Sequence, residues 1–253
     1  MSLIRFVVVT SVLNDFEGLA LTGKSLNSLS LAPDWIIVDG GSDNDCLKST
    51  EVLLSSYAGN STFVRGPDTG IYDAWNKAVD VLDNNSFVIF LGAGDVLIPN
   101  AWDDCVNLVL AIHEKYKCFC FGVYLAKKSK IQTWLPRSSL KGYEWGRPYL
   151  PPHQGVLVHS TVLKHFKFDE SYRVAADSKF LLQAFAMSNP LACNIILSKM
   201  DGNGISNEAK RQFKTQREID RLVTELGLRI PVFHKIKAWS NRVLNYLWRT
   251  FTS

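Results

Sequence analysis

Apolar positions along this chain fall into two kinds of segment that take turns. Short β-branched runs, IRFVVVT (4–10), DWIIVD (34–39), STFVR (61–65) and SFVIFLG (86–92), have the length and composition of strands. Between them lie stretches with helical spacing, at 18–31 and 45–57. In RGPDTGIYDAWNKAV, Ile71, Ala74, Trp75, Ala78, Val79 and, beyond it, Leu82 fall on one helical face. A helix is predicted over 99–116, with Pro99 near its start, and a strand over 117–126. Strand, helix, strand, helix predicts an α/β fold: a mostly parallel sheet flanked by helices on both faces.

In such sheets a ligand binds beyond the carboxyl ends of the strands. Thr10 and Ser11 leave the first strand there, Asp39 the second (VDGGSDND), Asp68 the third (RGPD) and Asp95 the fourth (FLGAGD). Any one of these would serve as an ordinary helix cap. Together with Gly40, Gly41, Gly66, Gly70, Gly92 and Gly94, which let a backbone approach a ligand closely, they suggest a shared binding edge.

The second half is less regular. Residues 133–155 are rich in Pro, Gly and aromatics (Trp134, Tyr143, Trp145, Tyr149), as a functional loop would be. After it come a strand, a short helix, a helix opening near Ala176, a strand over 190–200, and a helical remainder.

Composition narrows the function classes. A net charge of +4, with no concentrated basic stripe, argues against a nucleic-acid partner. Five scattered cysteines without CxxC spacing suit a reducing cytosol. The apolar N-terminal run lacks the features of a signal peptide, and no segment reaches the roughly 20 apolar residues of a spanning helix. The expectation is a cytoplasmic protein, at most peripheral at the inner face of the plasma membrane. G-x-G-x-x-G after the first strand, G-x-x-x-x-G-K-[ST] and G-x-S-x-G are all absent, which counts against a dinucleotide oxidoreductase and a P-loop kinase and leaves a hydrolase nucleophile elbow without support. Carboxylates at strand exits fit a nucleotide and a divalent cation, because Mg²⁺ or Mn²⁺ takes oxygen ligands and draws many of them from phosphate and water. Asp95, on its Gly-rich turn, is the candidate metal ligand; its alternative is the cap of the helix from Pro99.

VDGGSDND, PDTGIYDAWNKAV, FLGAGD and AADSKFLLQAF, in this order, resemble the family 2 glycosyltransferases of the GT-A fold. The resemblance covers about the first 200 residues. It is closest to the subgroup that builds bacterial surface polysaccharides such as colanic acid and O-antigen. It implies a GT-A domain over 1–205, with a nucleotide-sugar-binding half (1–98) and an acceptor and catalytic-base half (99–205), followed by a helical extension (206–253). It implies a nucleotide-diphosphate-sugar donor, with Thr10, Ser11, Asp39, Gly41, Ser42 and Asp68 around base and ribose. Gly70, Asp73, Asn76 and Lys77 would face the diphosphate and sugar. Asp73 and Lys77 also stand four apart, as a solvated helical ion pair would.

FLGAGD stands where the family has its D-x-D metal motif, but the earlier acidic positions are Gly92 and Gly94, leaving Asp95. An LNSGD-like form occurs in related polysaccharide enzymes. AADSKF stands at the catalytic base; Asp177 is the carboxylate and Ala176 replaces the family's Glu. Asp177 would otherwise cap its own helix. PPHQG resembles the HQ segment that precedes the base, so His153 and Gln154 would contact the acceptor or the donor phosphates.

From Leu226 to Ser253 there is no acidic residue, and Phe233, Ile236, Trp239, Val243, Leu247 and Phe251 fall near one face. This is the pattern of an interfacial helix on an anionic membrane over 230–253. The same face would equally pack on the protein's own core or on a second subunit of a homodimer. The helix over 207–226 reads as a spacer or packing element. The resulting expectation is an inverting glycosyltransferase with a lipid-linked glycan acceptor. Its rivals are a nucleotide-sugar-binding subunit without turnover and a membrane adaptor.

Overall fold

The computed structural model describes residues 3–127, 130–144, 146–201 and 209–234. Four strands, β1 (Arg5–Val12), β2 (Asp34–Asp39), β3 (Ser61–Arg65) and β4 (Ser86–Gly92), pair in parallel in the order β3-β2-β1-β4. Helices α1 (Phe16–Asn27), α2 (Asn44–Ser55) and α3 (Ile71–Asp80) connect them. β1 is central because its apolar run is buried on both faces: Val7 and Val9 enter one core, Phe6, Val8 and Val12 the other. Within the parallel register Val12 lies beside Asp39 and Ser11 beside Gly92, so the exits of these three strands form one edge.

The second half departs from simple alternation. After β4 the chain makes a short strand β5 (Val96–Leu97), helix α4 (Pro99–Ile112), strand β6 (Cys118–Lys127) and an antiparallel partner β7 (Lys130–Trp134). The 133–155 segment is not all loop: it holds a small antiparallel pair, β8 (Tyr143–Glu144) with β9 (Arg147–Pro148), and a 3-10 turn at His153–Gly155. Trp145 lies outside the described residues. Strand β10 (Val156–His159) then inserts antiparallel between β4 and β6. Helices α5 (Ser160–Phe166) and α6 (Ala176–Met187) and strand β11 (Leu191–Met200) follow. β11 runs parallel to β6 and antiparallel to β5. The sheet is therefore mixed beyond β4, with its first half, β1 to β4, parallel as expected.

Helix α3 buries the predicted Ala74, Trp75, Ala78 and Val79, with Leu82 beyond it, and turns Tyr72 and Asn76 inward in place of Ile71. Tyr72, Trp75, Asn76 and Val79 are buried, at i, i+3, i+4 and i+7, whereas Ile71 is 38% exposed. The last described helix, α7 (Ala209–Glu225), is no spacer: Ile219 and Leu222 are buried in the same core as Trp75, Phe168 and Phe180. Most of the 230–253 face lies outside the described residues. Of its described part, Ile230 is buried, while Val232 and Phe233 are exposed.

Candidate functional site

The turns at the strand exits are built by their own carboxylates. At the end of β2, Asp39 is 1% exposed, and its Oδ1 accepts from the amides of Gly41 (2.9 Å) and Ser42 (2.8 Å). Its Oδ2 is buried with no protein partner. A buried acceptor normally has a donor, so this oxygen is an acceptor left open at the exit of β2. Ser42 is itself tied down, its Oγ accepting from the Asn14 amide at 2.8 Å.

Asp68 closes over the same turn. Its Oδ1 accepts from the Gly70 amide at 3.0 Å, and its Oδ2 sits 2.4 Å from where a Cβ on residue 40 would be. A side chain at 40 would push the Asp68 carboxylate aside, so the β2 and β3 exits meet there. Gly70 itself, with φ +141°, adopts backbone that an L side chain resists.

Two predicted ligand contacts, Thr10 and Asn76, are used inside the protein instead, whereas Asp73 and Lys77 make local contacts and stay partly open. Thr10 is fully buried and its hydroxyl accepts from the Trp35 indole at 3.1 Å; it packs the core, while Ser11, next along β1, is half-buried. Asn76 is 7% exposed, not on the outer face. Its amide donates to the Phe168 carbonyl (2.9 Å) and Glu170 (2.7 Å), and its oxygen accepts from the Phe168 amide (2.8 Å). It is a clamp between α3 and the chain entering α6. Asp73 accepts from the Thr69 amide at 2.8 Å and lies 3.4 Å from Lys77. The Thr69 hydrogen bond, with Lys77 behind it, holds its carboxyl below the usual range. Lys77 donates to the Pro67 carbonyl at 2.7 Å. Both are half-buried, Asp73 in the first turn of α3 and Lys77 in its last, so each retains a face toward solvent.

Asp95 is 3% exposed. Its Oδ2 accepts from the Gly92 amide (2.8 Å) and its Oδ1 from the Asp201 amide (2.9 Å). Burial pushes its carboxyl up, against the pull of these two amides, His153 and the Gln154 side chain. The turn is anchored from α1, where the Thr22 hydroxyl donates to the Asp95 carbonyl at 2.8 Å.

No group of three His, Cys, Asp or Glu that would cage a metal occurs among the described residues. What the donor set fits is a cation carried mainly by phosphate and water with one or two carboxylates. Asp95 is the first. Asp201, unforeseen from sequence, is the second at hand: its carboxylate lies 3.4 Å from where a Cβ on Gly94 would stand.

Asp177, in the first turn of α6, faces the same region. The Tyr72 hydroxyl donates to its Oδ1 at 3.3 Å, and His153 Nδ1 stands 3.5 Å from its Oδ2. The adjacent Gln154 is buried, its side chain against Asp95. His153 and Gln154 thus bridge two carboxylates that are distant in sequence. Burial, reinforced by Asp177, pushes the Tyr72 phenol up, so it stays protonated and donates. Tyr72 escaped the sequence reading although it sits inside the GIYDAWNK stretch; its place on the buried face of α3 was the available signal.

No family model matches the chain. It is 24% identical over 203 residues to an uncharacterized glycosyltransferase of Mycobacterium tuberculosis, covering 79% of this chain and 76% of the relative. It is 25% identical over 204 residues to a PGL/p-HBAD biosynthesis glycosyltransferase of Mycobacterium bovis, covering 78% and 76%. Among solved structures it resembles Staphylococcus aureus TarS 1–349 in complex with UDP-GlcNAc (TM-score 0.63, 16% identity), covering 87% of this chain and 66% of that one. It also resembles the mannosyltransferase PcManGT of Pyrobaculum calidifontis in complex with GDP-Man and Mn²⁺ (TM-score 0.64, 11% identity), covering 92% and 68%. The chain thus spans about two thirds of the TarS segment. The fold is that of the GT-A glycosyltransferases. The sequence relatives support a glycosyltransferase family for this chain. Among the described residues, no helix is long and apolar enough to cross a membrane.

Proposed function

We propose that this protein is an inverting glycosyltransferase. It transfers one sugar from a nucleotide-diphosphate donor to a lipid-linked glycan acceptor in bacterial surface-polysaccharide synthesis. The observation that carries this reading is the meeting of Asp95 and Asp177 around His153 and Gln154 at one edge of the sheet. In this reading Asp177 is the base and Asp95 lies on the side of the leaving diphosphate. The UDP-GlcNAc and GDP-Man held by the two solved relatives support the donor class. The PGL/p-HBAD biosynthesis relative supports a glycan-building role.

In this reading Asp39 Oδ2 accepts an N–H of the donor base, with Ser11, Gly41, Ser42 and Asp68 around base and ribose. Gly70, Asp73 and Lys77 border the diphosphate. Asp177 takes the proton of the acceptor hydroxyl as its oxygen attacks the anomeric carbon; the bond from that carbon to the phosphate oxygen breaks, and the diphosphate leaves with the electron pair. A divalent cation beside Asp95 would supply charge neutralisation for that leaving group. His153 and Gln154 border both partners. The domain is 1–205, with 206–253 as an extension and 230–253 as its membrane-facing part, and the enzyme works at the cytoplasmic face of the membrane.

A second reading, a binding subunit without turnover, draws on the closed surroundings of Asp95 and on Ala176 standing where the family has Glu. Nucleotide release from UDP-GlcNAc and GDP-Man with Mg²⁺, Mn²⁺ or EDTA separates the two. Metal-dependent release supports the enzyme; tight nucleotide binding without release in any condition supports the subunit.

A further inference from the structure

Helix α6 presents Asp177 in its first turn, yet it has no cap of its own. Ala175 occupies the N-cap position and offers no side-chain acceptor. The turn leading into a helix needs acceptors for its amides. Here they come from far along the chain. Glu218 of α7 accepts from the Arg173 amide through Oε1 (3.0 Å), and from the Val174 (2.8 Å) and Ala175 (2.9 Å) amides through Oε2. One carboxylate thus fixes three consecutive residues immediately ahead of the helix that carries the proposed base.

The helix that carries this carboxylate is itself held firmly. Ile219, its neighbour, and Leu222 are buried in the core that also contains Ala175, Ala176 and Phe180. Arg221 donates to the Ser171 hydroxyl at 2.9 Å and lies 4.3 Å from the Tyr172 ring centroid. Glu225 accepts from the Tyr172 hydroxyl at 2.8 Å and from Lys179 of α6 at 2.7 Å. Helix α7 therefore grips the segment before α6 and the first turns of α6 itself. Glu218 also faces Tyr72, whose hydroxyl donates to Asp177.

We propose that Glu218 is a positioning residue for sugar transfer: it fixes the 173–175 turn that aims Asp177, and so makes α7 a working part of the catalytic site. The inference rests on the reading of Asp177 as the base. Geometry at a reacting centre is costly to lose; a misplacement of about 1 Å costs on the order of a hundred-fold in rate. A cap that served stability alone would lower the melting temperature and leave turnover per folded molecule intact.

The test uses the full chain with Glu218→Ala and Glu218→Gln, assayed well below their melting temperatures. Two readouts are taken: amide hydrogen exchange over 173–178, and kcat and KM for nucleotide release from UDP-GlcNAc and GDP-Man. Glu218→Ala is expected to speed exchange locally, leave exchange in α1 unchanged, and lower kcat at least ten-fold with KM for donor within two-fold. Glu218→Gln, which keeps one acceptor oxygen, is expected to fall between, and it serves alone should the Ala variant not fold. Wild-type kcat in the variants, or unchanged exchange over 173–178, overturns the proposal. Asp177→Asn with wild-type turnover would sink the base assignment and reduce Glu218 to a structural cap. A wild-type chain releasing neither nucleotide would defeat the proposed function and this role with it.

Discussion

His153 Nδ1 stands 3.5 Å from Asp177 Oδ2, while the Tyr72 hydroxyl approaches the other oxygen of the same carboxylate at 3.3 Å. The two contacts come from different elements, the turn before β10 and helix α3, and together they restrict the rotamer of Asp177. His153 is fixed in turn against the Trp75 ring, 5.0 Å between centroids. Truncating His153 to Ala, or Tyr72 to Phe, should therefore lower kcat for sugar transfer roughly three- to thirty-fold and leave donor affinity within two-fold. Steady-state kinetics and calorimetry with UDP or GDP check this. Weakened nucleotide binding with unchanged kcat would show that the pair serves the donor rather than the carboxylate.

Asp39 Oδ2 has no partner in the protein although it is buried. Asp39→Asn keeps one oxygen for the Gly41 and Ser42 amides and puts an NH₂ where a base N–H would donate. UDP or GDP should bind about ten- to a hundred-fold more weakly, the loss expected when a buried polar pair of roughly 1–3 kcal/mol is mismatched. Melting temperature should change little. Calorimetry and thermal melts read the two effects separately, and undiminished affinity would remove Asp39 from the nucleotide pocket.

Asn76 makes three hydrogen bonds to Phe168 and Glu170 from a nearly sealed position. Asn76→Ala leaves the Phe168 amide without its acceptor and should cost about 1–3 kcal/mol of stability. Donor binding at temperatures where the variant is folded should be that of the wild type. Chemical denaturation gives the first number and calorimetry the second; a stable variant with lost donor affinity would restore Asn76 to the ligand.

Lys179 donates to both Asp169 and Glu225 at 2.7 Å. Burial alone would raise Asp169, but hydrogen bonds from Lys179 and Ser171 outweigh it and hold the carboxyl at about 2. Lys179, then Tyr172 and Arg221, hold Glu225 at about 2. Both values lie below the unfolded range near 4, so this stabilisation is complete above about pH 4 and disappears as pH falls toward 2. His159 works in a different window. Burial lowers its imidazole to about 4, so the unfolded chain takes up a proton first and stability declines from about pH 6.5 to 4. Denaturation midpoints across pH 7 to 3 should show both declines, and Lys179→Met should shrink the lower one, leaving the part that Ser171, Tyr172 and Arg221 supply.

Much of the first half, β1 to β4, was legible because its information is local. β-branched runs buried on both faces and helical spacing between them place β1 to β4 and α1 to α3 within a few residues. The convergence of Asp39, Asp68 and Asp95 at one sheet edge follows from that alternation. What escaped is non-local. Nothing in VLVH indicates that β10 slots antiparallel between β4 and β6, since strand order is decided by which sheet edge is vacant. The side-chain work of Thr10 and Asn76 depends on Trp35 and Phe168, residues the linear pattern does not pair with them. The mixed charges of α7 leave both a spacer and a packing element open. Only the fold reveals that Glu218 accepts the amides ahead of α6 while Ile219 and Leu222 turn inward.

The most direct measurement is sugar transfer itself, followed as nucleotide release and product mass with a panel of nucleotide sugars, a lipid-linked glycan acceptor fraction and Mn²⁺, for the wild-type chain and Asp177→Asn side by side. The wild type is expected to transfer one sugar from a UDP- or GDP-linked donor. The variant should bind that donor as tightly and transfer it at least a hundred-fold more slowly. Transfer by Asp177→Asn at the wild-type rate, or a wild-type chain that binds no nucleotide sugar, would contradict the assignment of this cleft to glycosyl transfer.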